Sequence, residues 1–203
     1  MLQYKTILPD TLNLLKDLQS LDLFKECRLV GDTALALQFG HRRSVDLDFF
    51  GTIRESGEQI KDALKENHNV KLVQESKNIH IFEIDGVKVD VVNYTYEWID
   101  SLVQEDGVRL AGEKDIAAMK ISAIIGRGTK KDFIDLYFLL QKYSLKEILD
   151  LFAAKYPDGS WFLALKSLSY FEDAEQDPMP MMFEPCKWQD VKRTVKEAIA
   201  SLQ

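Results

Sequence analysis

Two alternating runs joined by Asp85-Gly86 constrain this chain more than any other stretch. Asn78-Ile-His-Ile-Phe-Glu-Ile84 leads into the dipeptide, and Val87-Lys-Val-Asp-Val-Val-Asn93 leaves it. Asp-Gly between period-two runs is a strong β-hairpin signal, because both residues tolerate the positive φ of a tight turn. A lone hairpin is marginal in water and needs further elements to cover its apolar face. Arg28-Leu-Val30 and Ser44–Phe50 read as further strands. Helical periodicity covers Asp10–Leu23, which opens on Pro9-Asp10, then Thr33–Gln38 and Ser56–Asn67. After Gly107 the pattern turns helical, over Lys114–Ile125, Lys131–Lys142, Leu145–Lys155, Trp161–Glu172 and Trp188–Leu202. Strands first and helices second predict an α+β protein, with a mixed-sheet core over residues 1–105 and a helical half over 106–203.

The 203 residues, 46% of them hydrophobic, suffice for one buried domain or two small lobes sharing an interface. No apolar run approaches the roughly 20 residues of a membrane span, and Met1-Leu-Gln-Tyr-Lys-Thr6 has no signal-peptide core. A cytoplasmic protein with no membrane partner is expected. Cys27 and Cys186 lie far apart without a CxxC pair, which supports neither a zinc site nor a disulfide framework. The net charge of −7 lacks the broad positive field of non-specific duplex binders. A nucleic-acid partner would have to meet a local patch, either Arg42-Arg43 or Lys120, Arg127, Lys130 and Lys131.

The chemistry concentrates in carboxylates. In Ser44-Val-Asp-Leu-Asp-Phe-Phe50, an extended strand turns Asp46 and Asp48 to one face and Val45, Leu47 and Phe49 to the core. Like charges so close suit a hard divalent cation, although a solvated edge strand would read the same way. Val30-Gly31-Asp32-Thr33 is a strand-to-helix turn whose exposed amides can receive a phosphate. Asp90 interrupts Val89-Asp-Val-Val92, a placement that costs energy unless the carboxylate is paired, metal-bound or turned to solvent. A phosphate cradle with three carboxylates is what metal-dependent nucleotidyl transfer requires. Two Mg²⁺ ions would neutralise a triphosphate and activate an attacking hydroxyl.

Gly31 followed by Asp46-Leu47-Asp48 and a later Asp90 resembles the polymerase-β-like nucleotidyltransferase superfamily. More narrowly, Leu29-Val-Gly-Asp-Thr-Ala-Leu-Ala-Leu-Gln-Phe-Gly-His-Arg-Arg-Ser-Val-Asp-Leu-Asp-Phe-Phe50 is similar to the AbiEii-type toxins of abortive-infection and toxin–antitoxin systems. Asp115–Tyr137, with Lys120, Arg127 and Lys131-Asp132-Phe-Ile-Asp135-Leu, resembles that family's Lys…Arg…Lys-Asp-x-x-Asp-Leu segment, and Leu168–Glu175 its closing region. The resemblance spans roughly residues 10–200 and makes the two halves one AbiEii-like unit. It implies that Asp46, Asp48 and Asp90 hold metal and act in catalysis. Nucleotide would meet Gly31, Asp32, Thr33, Arg43, Ser44, Lys120, Arg127 and Lys131. The implied activity moves an NMP from an NTP to a hydroxyl of RNA such as a tRNA end, or of a protein, with an antitoxin as a further partner. A catalytically impaired binding module and a small-molecule nucleotidyltransferase of the antibiotic-modifying kind are the alternatives.

One position departs from the pattern. Asp32 stands where the family has a second Gly and the superfamily Ser. Its carboxylate turns away from the phosphates, adds a metal ligand, or weakens nucleotide binding, and the sequence leaves all three open. Lys120 and Arg127 share a helix face, and Asp132 and Asp135 are placed to orient such cations. Gly126-Arg-Gly-Thr-Lys-Lys131 lacks P-loop spacing. His41-Arg42-Arg43 reads as a turn-exposed cluster or a nucleotide contact, and His68 and His80 as structural or exposed. Trp161, Phe162, Tyr170 and Phe171 fit a helical core better than a stacking platform.

Overall fold

A computed structural model describes residues 1–202. Helix α1 (Pro9–Ser20) starts on a proline, whose missing N–H costs nothing in a first turn. Strand β1 (Cys27–Val30) runs directly into α2 (Gly31–Phe39), which Gly40 ends in the left-handed conformation. Strand β2 (Leu47–Gly51) and α3 (Gly57–Leu64) follow, the latter closed by a Ser56–Gln59 capping box. Next come β3 (Val70–Glu75), β4 (Ile79–Ile84) and β5 (Val87–Asn93). Asp85 and Gly86 take the positive φ values, 50° and 81°, that the β4–β5 turn requires.

Two short strands, β6 (Val103–Glu105) and β7 (Val108–Leu110), precede the helices α4 (Glu113–Gly126), α5 (Lys130–Leu139), α6 (Leu145–Lys155), α7 (Trp161–Leu168), α8 (Glu172–Glu175) and α9 (Trp188–Ala200). The seven strands form one mixed sheet in the order β3-β4-β5-β2-β1-β7-β6. β1 pairs antiparallel with β2 and parallel with β7, while β2 pairs parallel with β5. The sheet therefore continues to Leu110, beyond the expected change of character near residue 105, and one apolar core links both halves.

Alternation along the central strands sets the two faces of the sheet. Leu47, Phe49, Phe82, Ile84, Val89 and Val91 are fully buried in the core. Asp48, Phe50, Ile81, Asp90 and Val92 point the other way, into a cleft beneath α4. The buried Lys155–Asp115 pair at 2.6 Å ties α6 to α4. Asp115 also accepts the amides of Ile99 and Asp100, at 2.9 and 2.8 Å, which anchors the loop before β6.

Several local expectations change. Val45 is 53% exposed, because the strand begins only at Leu47 and its alternation does not reach back to residue 45. The helix expected over Trp161–Glu172 breaks after Leu168, and α8 starts afresh at Glu172. Phe171 is buried, yet Phe162 is 78% exposed, and Trp161 and Tyr170 are exposed with it, so α7 carries its aromatics outward. His41 and Arg42 are buried, not surface residues of a turn.

Candidate active site

The central strands bring two carboxylates side by side. Asp48 on β2 is in register with Asp90 on β5 and, on its other side, with Val30 at the end of β1. Asp46 lies just ahead of β2, and its carbonyl accepts from the Thr33 hydroxyl. Gly31 follows Val30 at φ +67°, and a Cβ there would strike the Asp48 carboxylate. Only a glycine lets the start of α2 approach that group. Burial, then repulsion from Asp32 and Asp90, pushes the Asp48 carboxyl up to about 7.

These oxygen donors suit a hard divalent cation, and the raised Asp48 marks a site short of positive charge. Asp48 and Asp90 line the cleft and Asp46 does not, and among the described residues no group of three or more His, Cys, Asp or Glu forms a ready metal site. Lys88 holds both oxygens of Asp90, at 2.7 and 2.6 Å.

Behind α2 lies a buried ionic network. Lys120 of α4 reaches Asp32, Asp132 at 3.2 Å and Asp135 at 2.6 Å. Arg42 forks onto Asp135 with two contacts of 2.7 Å and touches Asp32 at 3.2 Å. His41 Nε2 meets the same Asp135 carboxylate at 2.8 Å. Arg127 binds Asp132 through two contacts of 2.8 Å and lies 3.5 Å from Asp32, while Lys131 lies 2.9 Å from Asp32. The Thr129 hydroxyl donates to Asp132 at 2.6 Å and caps α5. Burial alone would raise the Asp32 and Asp135 carboxyls. Lys120 and Arg42, joined at Asp32 by Lys131, hold both well below the usual carboxylate range.

Asp32 is thus turned to the cations of the helical half. Lys120, Arg42, Lys131 and Arg127 ion-pair this carboxylate, which still lines the cleft beside Asp48. The expected basic patches are absent as patches. Arg42 and Lys120 are buried and neutralised, and Lys130 is buried against the Asp177 and Glu175 carbonyls. Arg127 and Lys131 stay partly exposed, 51% and 37%.

Thr33 and Ser44 bond to each other at 2.8 Å, and Ser44 is buried, so both brace the turn that opens α2. Arg43 leaves the site. Its amide bonds to Met181 and its guanidinium lies 5.8 Å from the Phe183 ring. His80 is buried beside Glu75, and His68 pairs with Asp85, away from the cleft. Lys88 is the residue that sequence reasoning passed over, although its place two residues before Asp90 put both on one strand face.

The cleft measures about 460 Å³, with Gly31, Asp32, Asp48 and Asp90 at its acidic wall, Lys120 and Arg127 also lining it, and Ile79, Ile81, Val92 and Met119 as apolar lining. An acidic wall, cations and apolar side chains in one cleft can hold an ion, an anionic ester and a flat organic group together. A second groove of about 430 Å³ joins it through Gly126 and Arg127, and Lys166 and Tyr170 line it.

An uncharacterized protein of Aquifex aeolicus (strain VF5), aq_aa25, is 37% identical over 193 residues, covering 90% of this chain and 93% of that protein. The crystal structure of JHP933 from Helicobacter pylori matches with a TM-score of 0.62 at 19% identity, over 97% of this chain and 93% of that one. MenT4, the nucleotidyltransferase toxin Rv2826c from Mycobacterium tuberculosis H37Rv, matches with a TM-score of 0.64 at 15% identity, over 93% and 80%. At those identities the two structures speak for a shared fold. The family model described as nucleotidyl transferase AbiEii toxin of type IV toxin–antitoxin systems matches residues 13–201, so the chain belongs to the AbiEii family of nucleotidyltransferase toxins.

Proposed function

We propose that this protein transfers a nucleoside monophosphate from an NTP to a hydroxyl on a nucleic-acid end, with a tRNA-like strand as acceptor. The observation that carries the reading is the meeting of Gly31, Asp48 and Asp90 with Lys120 and Arg127 in one cleft. Divalent ions held by Asp46, Asp48 and Asp90, with Mg²⁺ as the natural choice, would neutralise phosphate charge and make the acceptor hydroxyl more acidic.

The chain's own residues do the rest. Gly31 brings the first turn of α2 against Asp48, and the backbone amides and dipole of that turn favour the triphosphate as an anion. Arg127 and Lys131, the partly exposed cations of the network, reach the phosphates, while Asp32 and Asp132 hold them in place. Asp90 stands next to Ile81 on the open side and takes the acceptor's proton on its carboxylate. Lys166 and Tyr170 in the adjoining groove suit a phosphate and a stacked base of the acceptor strand.

As the family is one of toxins, an antitoxin is its expected partner. No helix among the described residues is long and apolar enough to cross a membrane, and we place the reaction in the cytoplasm. The test is incubation of the full chain with labelled NTPs, Mg²⁺ and total RNA. Label on RNA is expected. Label on a small molecule instead would move the protein to the antibiotic-modifying class, and no label on any acceptor would favour the impaired binding module.

A further inference from the structure

Lys88 makes an unusual choice of partner. Glu83 on β4 is in register opposite Lys88 on β5, the ordinary arrangement for a cross-strand ion pair. The Lys88 ammonium instead reaches along its own strand to both oxygens of Asp90, at 2.7 and 2.6 Å. Residues 88 and 90 share the cleft face, and Asp90 adjoins Asp48 in register. Lys88 is half-exposed, so packing does not force it there. Although partial burial would lower its pKa, Asp90, then Asp48 and Asp46, hold the ammonium charged.

We propose that Lys88 is a built-in counter-cation that keeps the Asp90 side of the site closed to a second divalent ion until a triphosphate is bound. Glu83 serves as its alternative resting place. The inference rests on the metal-dependent reading given above. Asp46, Asp48 and Asp90 with Lys88 sum to a net charge of −2 when all are ionised, which one divalent ion balances. A second ion then meets a neutral site in which Lys88 already occupies Asp90. The negative charges of an incoming triphosphate reverse that balance, and Lys88 can swing to Glu83 without losing an ionic partner. Such ordering would withhold the complete ion set from water until the nucleotide that needs it has arrived.

The experiment counts Mn²⁺ bound to the full chain by electron paramagnetic resonance at about pH 8, above the Asp48 titration, with and without an α,β-methylene triphosphate. Wild type should take one ion alone and two with the analogue. Lys88→Gln should take the second ion without the analogue, at about tenfold lower Mn²⁺ than wild type needs. Lys88→Arg, which keeps the charge, should behave as wild type, and Glu83→Gln should demand more Mn²⁺ for the second ion even with the analogue. Thermal unfolding checks that each variant folds. Two ions on wild type without nucleotide, or an unchanged isotherm for Lys88→Gln, overturns the gate and leaves the metal-dependent reading standing. No ion on wild type under either condition overturns both.

Discussion

Gly31 and Asp48 are apposed so closely that a single methyl group on the glycine would occupy the space of the carboxylate. The glycine also sits at φ +67°, where an L side chain adds strain. Gly31→Ala should cost about 1–3 kcal/mol in denaturant unfolding from strain and the displaced neighbour. Because Asp48 must move, transfer to RNA should fall about a hundredfold, by analogy with other displaced reactive groups. Wild-type transfer in a folded Gly31→Ala protein would remove Asp48 from the reaction.

The raised Asp48 carboxyl makes stability depend on pH with a definite sign. Its ordinary value is near 3.8 and its folded value about 7, so the folded chain holds the proton more tightly than the unfolded one. The ionisation penalty therefore grows as pH rises from about 4 to 7 and is constant above. Asp48→Asn should gain on the order of 1–3 kcal/mol in metal-free unfolding at about pH 8, with the gain shrinking toward pH 4. The same variant should lose Mg²⁺-dependent transfer. A stability difference that does not change with pH would refute the assignment.

Asp32→Gly tests the departure from the family pattern. If the carboxylate repelled phosphate, its loss would tighten NTP binding. Its contacts with Lys120, Arg42, Lys131 and Arg127 predict the opposite, because four cations would then share only Asp132 and Asp135. Breaking a buried pair by removing one partner costs about 3–5 kcal/mol. The melting temperature should drop, and calorimetric titration of a nonhydrolysable NTP should show equal or weaker affinity. A tighter NTP complex would revive the impaired-enzyme reading.

The adjoining groove predicts a split in kinetics. Tyr170→Ala should raise the KM for the RNA acceptor roughly tenfold, from the loss of one stacked base, and leave the KM for NTP unchanged. Equal changes in both would show that the groove does not receive the acceptor.

Fold and site were legible in the sequence to different depths. Asp85-Gly86 announced the β4–β5 hairpin, and Asp106-Gly107 carries the same signal at φ 52° and 81°. There the flanking strands are only three residues long, too short for alternation to register. Asp46, Asp48 and Asp90 stood out because carboxylates are rare in apolar strands. The register that sets Asp48 beside Asp90 is a long-range pairing, which periodicity cannot supply. Arg42 and Lys120 read as exposed cations because charge pattern alone does not reveal a buried partner. Asp132 and Asp135 were recognised as orienting groups, yet nothing local indicated that Asp32 would join them.

The buried network also sets when, during synthesis, the protein becomes complete. Asp32 and Arg42 belong to the first quarter of the chain, and their partners Lys120, Lys131, Asp132 and Asp135 to its second half. A ribosome-bound chain ending before Lys120 carries the acidic wall of the cleft without the cations that also line it. Chains that stop short of these partners would therefore be inert, and only a protein translated past Tyr156, the last residue to line the cleft, would assemble all of it.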